Sequence, residues 1–469
     1  MSEKEGFSKP ANPLAERRIS RARFLQLLGA GAGLSLIPSS LGVFGGVANA
    51  QTSTTTPTLL GTDTFPIGLW WPPPPSQTTN ARYQEIAAAG FNFVIGGNGV
   101  NNDTYNPTAL NAAGATNLRF VLRDNKLTKN INNNDSSGVH SRIDQLLQTY
   151  GGKAALAGIY LYDEPSTNLF KILGDARQYL QTKNAKQLPW ANLYPYTNDP
   201  NTLASLGASS YDDYLQQYRT KVNTPFVCFD HYPLINDTGI TKSYFQNWAA
   251  IRKSSLQSPG VPSWCFIQSV DFKWNDNSYA PRRSPTEAEL YWQVNVSLAY
   301  GCKGIQYFTY WTPADDSTIT WGHALISDSG QQTPLYGYAT RVNTYLKVVG
   351  KALLPLTSVS VVHAGESTLP SGATAFSPDD YIASVSGSAA VLGSFSDPAG
   401  GSGRYVLVVN RSYSDPASTQ LTLKSSVSKV SELDYTNSSV TFNAVSGWSA
   451  GSPLQVNLDP GRARLYLLQ

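Results

Sequence analysis

Ala157-Gly158-Ile159-Tyr160-Leu161-Tyr162-Asp163-Glu164-Pro165 is an apolar run of strand character that stops abruptly on two acids and a proline. Before it, residues 139–150 have helical spacing and halt at Gly151-Gly152; after it, residues 169–183 are helical again. The alternation continues outward in both directions. Towards the N-terminus lie the apolar runs 118–122, 91–95 and 65–70, with a helical segment at 81–89 that stops at Gly90. Towards the C-terminus lie the runs 190–193, 226–229, 264–267 and 304–308. Helical segments at 210–221, 243–255, 285–300 and 338–348 separate and follow them. Eight strand-then-helix units predict an α/β fold, a (β/α)8 TIM barrel over residues 65–352. A doubly wound sheet is the competing arrangement, and it usually carries a glycine-rich phosphate turn after its first strand. Here that position reads Trp70-Trp71-Pro72-Pro73-Pro74-Pro75, so the barrel is the better fit.

Beyond about Leu356 the pattern changes. Short β-branched runs at 358–362, 381–385, 389–395, 405–410, 420–423, 440–442, 454–458 and 463–468 are separated by Gly, Ser, Asp and Pro turns. No helical segment intervenes. Residues 355–469 therefore read as a small all-β antiparallel sandwich.

Residues 1–50 read as a signal peptide. A basic stretch, Arg17-Arg18-Ile19-Ser20-Arg21-Ala22-Arg23, precedes an apolar run from Phe24 to Val47, and Ala48-Asn49-Ala50 closes it with the small-x-small pattern of a cleavage site. The leader resembles a bacterial twin-arginine signal whose arginine pair is split, and an ordinary secretory leader or an uncleaved anchor are the alternatives. Export to the cell envelope or the medium is the expectation. Residues 51–64, opening with the low-complexity Gln51–Thr58, read as a flexible tether.

Removing the leader changes the charge. The whole chain holds 35 Lys and Arg against 32 Asp and Glu, and the leader takes six bases and three acids, leaving 29 of each. A near-neutral mature chain gives no electrostatic case for nucleic acid or an anionic membrane surface. No later segment is apolar for long enough to span a bilayer. Cys228, Cys265 and Cys302 sit in or beside apolar runs, which suits small buried hydrophobes better than a reactive thiol. The histidines are far apart and no Cys-x-x-Cys occurs, so no zinc site is expected. No cofactor is implied. The Asn132–Asp135 loop would suit calcium, and equally well a turn.

In a barrel, side chains at the C-terminal strand ends converge on one pocket. Here those ends carry Trp70-Trp71, Arg123-Asp124, Asp163-Glu164, Tyr194 and Tyr196, Asp230-His231-Tyr232, Gln268 and Tyr310-Trp311. Carboxylates, amides and large aromatics suit a sugar, which offers hydroxyls to the first two and flat C–H faces to the third. Trp71 and Trp311 are the expected platforms; Trp264, within a strand, reads as core. His231 and His323 read as hydrogen-bonded structural residues.

With these residues in view, the barrel resembles clan A glycoside hydrolases, whose acid/base glutamate ends strand four after Asn or, less often, Asp. Asp163-Glu164-Pro165 matches that position, and the resemblance implies an acid/base role for Glu164, with Tyr232 and Trp311 in the places of a strand-six Tyr and a strand-eight Trp. The run Gly301–Trp311, the segment Tyr405–Arg411 and the final Asp459-Pro460-Gly461 also resemble bacterial glycosidases with C-terminal sandwiches. The implied partner is a carbohydrate substrate; the sugar, the linkage and the oligomeric state are left open.

One position departs from that pattern. Retaining members place a nucleophilic glutamate at the end of strand seven, where this chain has Gln268. Glycoside hydrolysis ordinarily uses two carboxylates. Asp230 is the first candidate for the second, as base of an inverting reaction, or else it orients Tyr232 or a substrate hydroxyl. Glu289 is another candidate, or else it serves its helix N-terminus. Glu287 reads as part of a capping box, Ser284-Pro285-Thr286-Glu287, and Asp271 as a loop acid. Asp163 either raises the pKa of Glu164 by repulsion or faces away and pins a loop. The alternative to a hydrolase is an inactive barrel that binds glycans, with Gln268 marking the loss.

Overall fold

The computed structural model describes residues 58–61, 63–236, 239–277 and 279–469. The leader and the first part of the tether lie outside the described residues. Thr58 and Leu59, from the stretch read as tether, lie against the barrel instead. The Thr58 N–H donates to the Lys186 carbonyl at 2.9 Å, and Leu59 is buried in the main core.

Eight parallel strands close into a barrel: β1 (Ile67–Leu69), β2 (Phe93–Ile95), β3 (Arg119–Arg123), β4 (Leu156–Asp163), β5 (Leu188–Leu193), β6 (Val227–Asp230), β7 (Ser263–Gln268) and β8 (Cys302–Phe308). Neighbours in the ring are neighbours in sequence, and β8 closes onto β1 with Ile305 opposite Ile67 and Tyr307 opposite Leu69. Helices α1 (Asn80–Ala88), α2 (Asn106–Ala115), α3 (Asn125–Asn132), α4 (Ser136–Tyr150), α5 (Phe170–Lys183), α6 (Pro200–Leu206), α7 (Tyr211–Lys221), α8 (Tyr244–Leu256), α9 (Glu287–Ala299) and α10 (Pro334–Leu353) form the connections. The predicted barrel is thus present, with three helices the periodicity did not separate: α2, α3 and α6. These are short, and two of them start on a side-chain cap, Asp124 for α3 and Asp199 for α6.

The lower half of the barrel is solid. Phe93, Trp190, Phe226 and Trp264 pack ring against ring with centroids 5.0–5.9 Å apart. Gly304 on β8 makes room for them, because a Cβ there would lie 2.4 Å from the Trp264 indole. Tyr160 stacks on Trp190 one layer higher, at 6.3 Å. Above Tyr160 the interior turns polar. The barrel therefore has a plugged floor at the N-terminal strand ends and an opening at the C-terminal ends.

The C-terminal strands are β9 (Thr357–Ala364), β10 (Ile382–Gly387), β11 (Ala390–Ser396), β12 (Arg404–Asn410), β13 (Ala417–Leu423), β14 (Val430–Leu433), β15 (Phe442–Ala444), β16 (Leu454–Leu458) and β17 (Ala463–Leu468). They form a six-stranded sheet, β9-β11-β12-β17-β14-β15, and a three-stranded sheet, β10-β13-β16. The alternation along β12 and β17 explains the packing. Val406, Val408, Tyr466 and Leu468 face the smaller sheet, whereas Leu407, Val409, Ala463 and Leu465 join the core shared with the barrel. Helix α9 is the main contact on the barrel side. Its Trp292 indole donates to the Arg411 carbonyl at 3.0 Å and its Asn295 amide to the Gly461 carbonyl at 2.9 Å.

Candidate active site

The polar layer of the barrel mouth is built upward from Tyr160. Standing on Trp190, it aims its hydroxyl at Asp163 and donates to Oδ1 at 2.7 Å. Asn192, near the end of β5, donates from Nδ2 to Asp163 Oδ1 at 3.3 Å and to Asp230 Oδ1 at 2.7 Å. Cys228 on β6 donates to Asn192 Oδ1 at 3.5 Å and reaches Gln306 Oε1 at 3.7 Å. Tyr160, Asp163, Asn192 and Asp230 thus form one connected, buried chain across three adjacent strands.

Glu164 follows Asp163 with its backbone in the left-handed region, φ +46°. That conformation costs a non-glycine residue of order 1 kcal/mol and is found where the surroundings enforce it, often at working sites. The enforcing contact is its N–H, which donates to the Asn192 carbonyl at 2.7 Å. The side chain is 5% exposed. Burial raises the pKa of the nearby Tyr214 hydroxyl of α7, and Glu164 lies close enough to add a little to that shift. Tyr214 in turn donates to the Pro165 carbonyl at 2.8 Å, fixing the turn beyond the two acids.

Aromatic rings surround this layer. Phe308, ending β8, stacks on Tyr232 at 4.5 Å and on Trp70 at 5.6 Å. Trp71 lies edge-on to Trp70 at 5.3 Å and has φ +60°. Above them a ribbon pairs Phe272–Trp274, from the loop after β7, with Ile319–Trp321, from the loop after β8. It brings Phe272 to 5.0 Å from Trp321 and 6.1 Å from Tyr232. Two buried guanidinium groups complete the mouth. Arg123 lies 5.6 Å over the Trp70 ring and 5.7 Å over Tyr160; Arg282 lies 5.6 Å over Trp274. Arg282 also lines a small cavity with Pro195, Asp230, His231, Tyr232, Phe272 and Trp274.

The structure distributes the remaining expected residues as follows. Gln268 ends β7, fully buried, with its amide turned to backbone: Oε1 accepts the Leu234 N–H at 2.9 Å, and Nε2 donates to the Arg283 carbonyl at 2.7 Å. It splices the loops after β6 and β7. Glu289 is the third residue of α9, and both its oxygens are engaged. Oε2 accepts the Thr286 N–H at 2.8 Å and Oε1 meets the Arg283 guanidinium at 2.5 Å. The capping box is therefore Thr286 with Glu289, two residues along from the expected register, because α9 begins at Glu287. Glu287 pairs with Arg341 at 2.7 Å.

Trp311 is 4% exposed and packs beneath the Arg82 guanidinium at 5.4 Å, beside Gly330. Tyr196 is half-buried; its N–H donates to Asn247 Oδ1 at 3.0 Å, and the same oxygen meets His231 Nδ1 at 2.8 Å. His231 also meets Thr241 at 2.6 Å, the structural role expected of it. Asp271, at the base of the ribbon, is half-buried against Gly322, and burial raises the pKa of its carboxyl. In the loop considered for calcium, Asp135 caps α4 and Asn132 accepts the Tyr162 hydroxyl at 2.5 Å, the turn reading. Among the described residues no three His, Cys, Asp or Glu side chains gather as a metal site.

Sequence reasoning missed Asn192, Tyr160, Phe308 and Arg282, and gave Arg123 no role. An asparagine in the apolar run Leu188–Leu193 and an arginine ending β3 were the available signals, since polar groups in such places must be satisfied or used. Arg282 gave none, because nothing in the sequence pairs the loops that hold it.

No family model matches the chain, and no curated protein is similar to it in sequence. Solved structures are similar in fold. A GH42 beta-galactosidase from G. stearothermophilus matches with TM-score 0.54 at 7% identity, over 88% of this chain and 100% of that one. A glycoside hydrolase family 5 protein from Bacteroides vulgatus gives TM-score 0.53 at 10% identity, over 86% and 88%. A beta-galactosidase from the psychrophilic Marinomonas ef1 matches at TM-score 0.46 and 10% identity, and the chain spans 62% of its length. The first two likenesses cover barrel and sandwich together, and at such identities they speak to architecture.

Proposed function

We propose that the chain is a glycoside hydrolase that cleaves O-glycosidic bonds of an oligosaccharide or polysaccharide, with Glu164 as its general acid. The observation that carries the reading is the state of Glu164: a buried carboxyl on a left-handed backbone at the end of β4, held there by the Asn192 carbonyl beside two further buried acids. The fold shared with solved glycosidases supports it. In the reaction, the Glu164 carboxyl gives its proton to the glycosidic oxygen as the bond from that oxygen to the anomeric carbon breaks. Asp230 takes a proton from a water whose oxygen bonds to the same carbon. Asp163, Tyr196, Tyr232 and Gln268 are proposed to bind the substrate, with Trp71 and Trp311 as its ring platforms. Trp311 is the weakest of the proposed platforms, given its packing under Arg82. The leader-like N-terminus supports action outside the cytoplasm, which fractionation with N-terminal sequencing of the mature protein would test.

A second reading has one observation in its favour. β7 ends in Gln268, an amide locked to backbone on both sides, and so offers no carboxylate, which an inert glycan-binding barrel would tolerate. Reducing-sugar release from a panel of α- and β-linked glycans separates the two. Wild type is expected to cleave at least one substrate and Glu164→Gln to lose about 1,000-fold or more in kcat. Glycan binding by both proteins with no release from either would favour the inert barrel.

A further inference from the structure

We infer that the cleft at the base of the barrel, at the opposite end from the mouth, is a binding site for a small amphiphilic carboxylate, an anionic head on an apolar body. The inference is independent of the hydrolase reading.

The cleft opens where barrel, sandwich and the stretch ahead of β1 meet, and it encloses about 420 Å³. At roughly 30 Å³ for each non-hydrogen atom, the share of one water in the liquid, that space holds on the order of 14 such atoms. Its apolar wall is formed by Leu59, Leu60 and Val261 together with Leu256, which ends α8 and is 43% exposed. A single exposed leucine means little by itself; this one continues an apolar surface that an apolar body would cover.

Two cations share the cleft. Arg252 spends Nε on the Ser358 hydroxyl at 3.1 Å and Nη2 on the Ser358 carbonyl at 3.5 Å. Lys303 Nζ donates to the Leu353 and Leu356 carbonyls, the second at 2.6 Å. All these acceptors are neutral. A guanidinium carries five N–H donors and an ammonium three, so both groups keep hydrogens to give. Among the described residues no carboxylate lines the cleft. Glu366, near Tyr300 at the same junction, is committed elsewhere, to Arg411 at 2.8 Å and His363 at 3.2 Å. With no acid to balance them, burial pushes the Lys303 amine down to about 8 and the Arg252 guanidinium below its usual value. Buried charge is ordinarily paired, so an acid-free cleft with two cations is a place for an anion.

The two halves of the cleft select the ligand together. An inorganic anion would answer the cations and leave the apolar wall wet, and a neutral hydrocarbon would do the reverse. A carboxylate accepts charged N–H donors well, while its body lies along the leucines. The chain's own upstream stretch does not supply such a head, because residues 51–57 contain no acid.

Calorimetric titration of the whole protein tests the site with four probes: decanoate, 4-phenylbutanoate, 1-decanol and decyltrimethylammonium. One or both acids are expected to bind with one-to-one stoichiometry. Which of them binds separates an alkyl source, such as a lipid, from an aromatic one. The alcohol and the ammonium should bind weaker by about tenfold or more, the worth of one hydrogen bond to a charged group. Arg252→Gln and Leu256→Glu should each weaken the acid by about tenfold or more. The second alters only an exposed position, so it preserves the measurement should loss of the guanidinium disturb the fold. Failure of both acids to bind would overturn the inference. So would binding that the alcohol or the ammonium matches, or that a folded variant leaves unchanged, since the acid would then be held by apolar contact alone or at another place.

Discussion

At the scale of single residues, the mouth owes its order to side chains that bond one another before any ligand arrives. Tyr160 illustrates this. Its ring continues the aromatic floor while its hydroxyl serves Asp163. Tyr160→Phe should keep the stacking and remove one donor from a buried carboxyl, lowering unfolding free energy by about 1–3 kcal/mol in chemical denaturation. A change below a few tenths would mean that Asp163 does not depend on that bond. The two acids that end β4 were legible in the sequence because barrel geometry singles out strand ends. Asn192 was not legible, because a polar residue inside an apolar run has no partner until the strands on both sides are placed. The packing of Trp311 was not legible for a related reason: its distance along the chain from β8 gave no sign that the loop carries it under Arg82.

At the scale of elements, the loops after β7 and β8 do what their sequences conceal. Phe272–Trp274 and Ile319–Trp321 are too short and too far apart in sequence to read as strands, yet they pair into the ribbon over the mouth. The start of α9 is a second case. Thr286, Glu289 and Arg283 form one cluster, with the Glu289 carboxylate taking a backbone N–H and a guanidinium together. Such a group has structural work that accounts for both of its oxygens. Glu289→Gln should therefore lower stability by about 1–2 kcal/mol through the cap and the ion pair. Its kcat should stay within about threefold of wild type on any glycan cleaved. A loss comparable to that of Glu164→Gln would return Glu289 to the catalytic centre. The eight strands and seven helices that periodicity predicts for the barrel lie within about five residues of their observed bounds, because burial on one face is a property of local sequence. β14 (Val430–Leu433) escaped notice, since its Ser431 and Glu432 dilute an already short run.

At the scale of the whole molecule, barrel and sandwich share a core. Gly461 shows how tightly they meet: a Cβ there would lie 2.1 Å from the Ala288 carbonyl in α9, and its φ of +68° already favours glycine. Arg462, next along, lies 3.4 Å over the Tyr291 ring of the same helix. Calorimetry of the described chain should accordingly give one unfolding transition, with calorimetric and van't Hoff enthalpies equal. Gly461→Ala should lower its midpoint while keeping it single. Two separate transitions in the wild type would show that the sheets are an appendage, not a wall of the barrel.

The plugged floor has a consequence for how the protein meets its surroundings. Leu59 and Leu60 line a cleft with Pro262, Ser263 and Trp264, where β7 begins, and Thr58 is tied to the carbonyl just ahead of β5. The chain therefore joins the barrel at its base, diametrically opposite the opening. Whatever lies upstream of Thr58 is attached to the underside, and a surface holding the protein by that end would see only its back. The open face would then look outward, like the bowl of a cup on its stem.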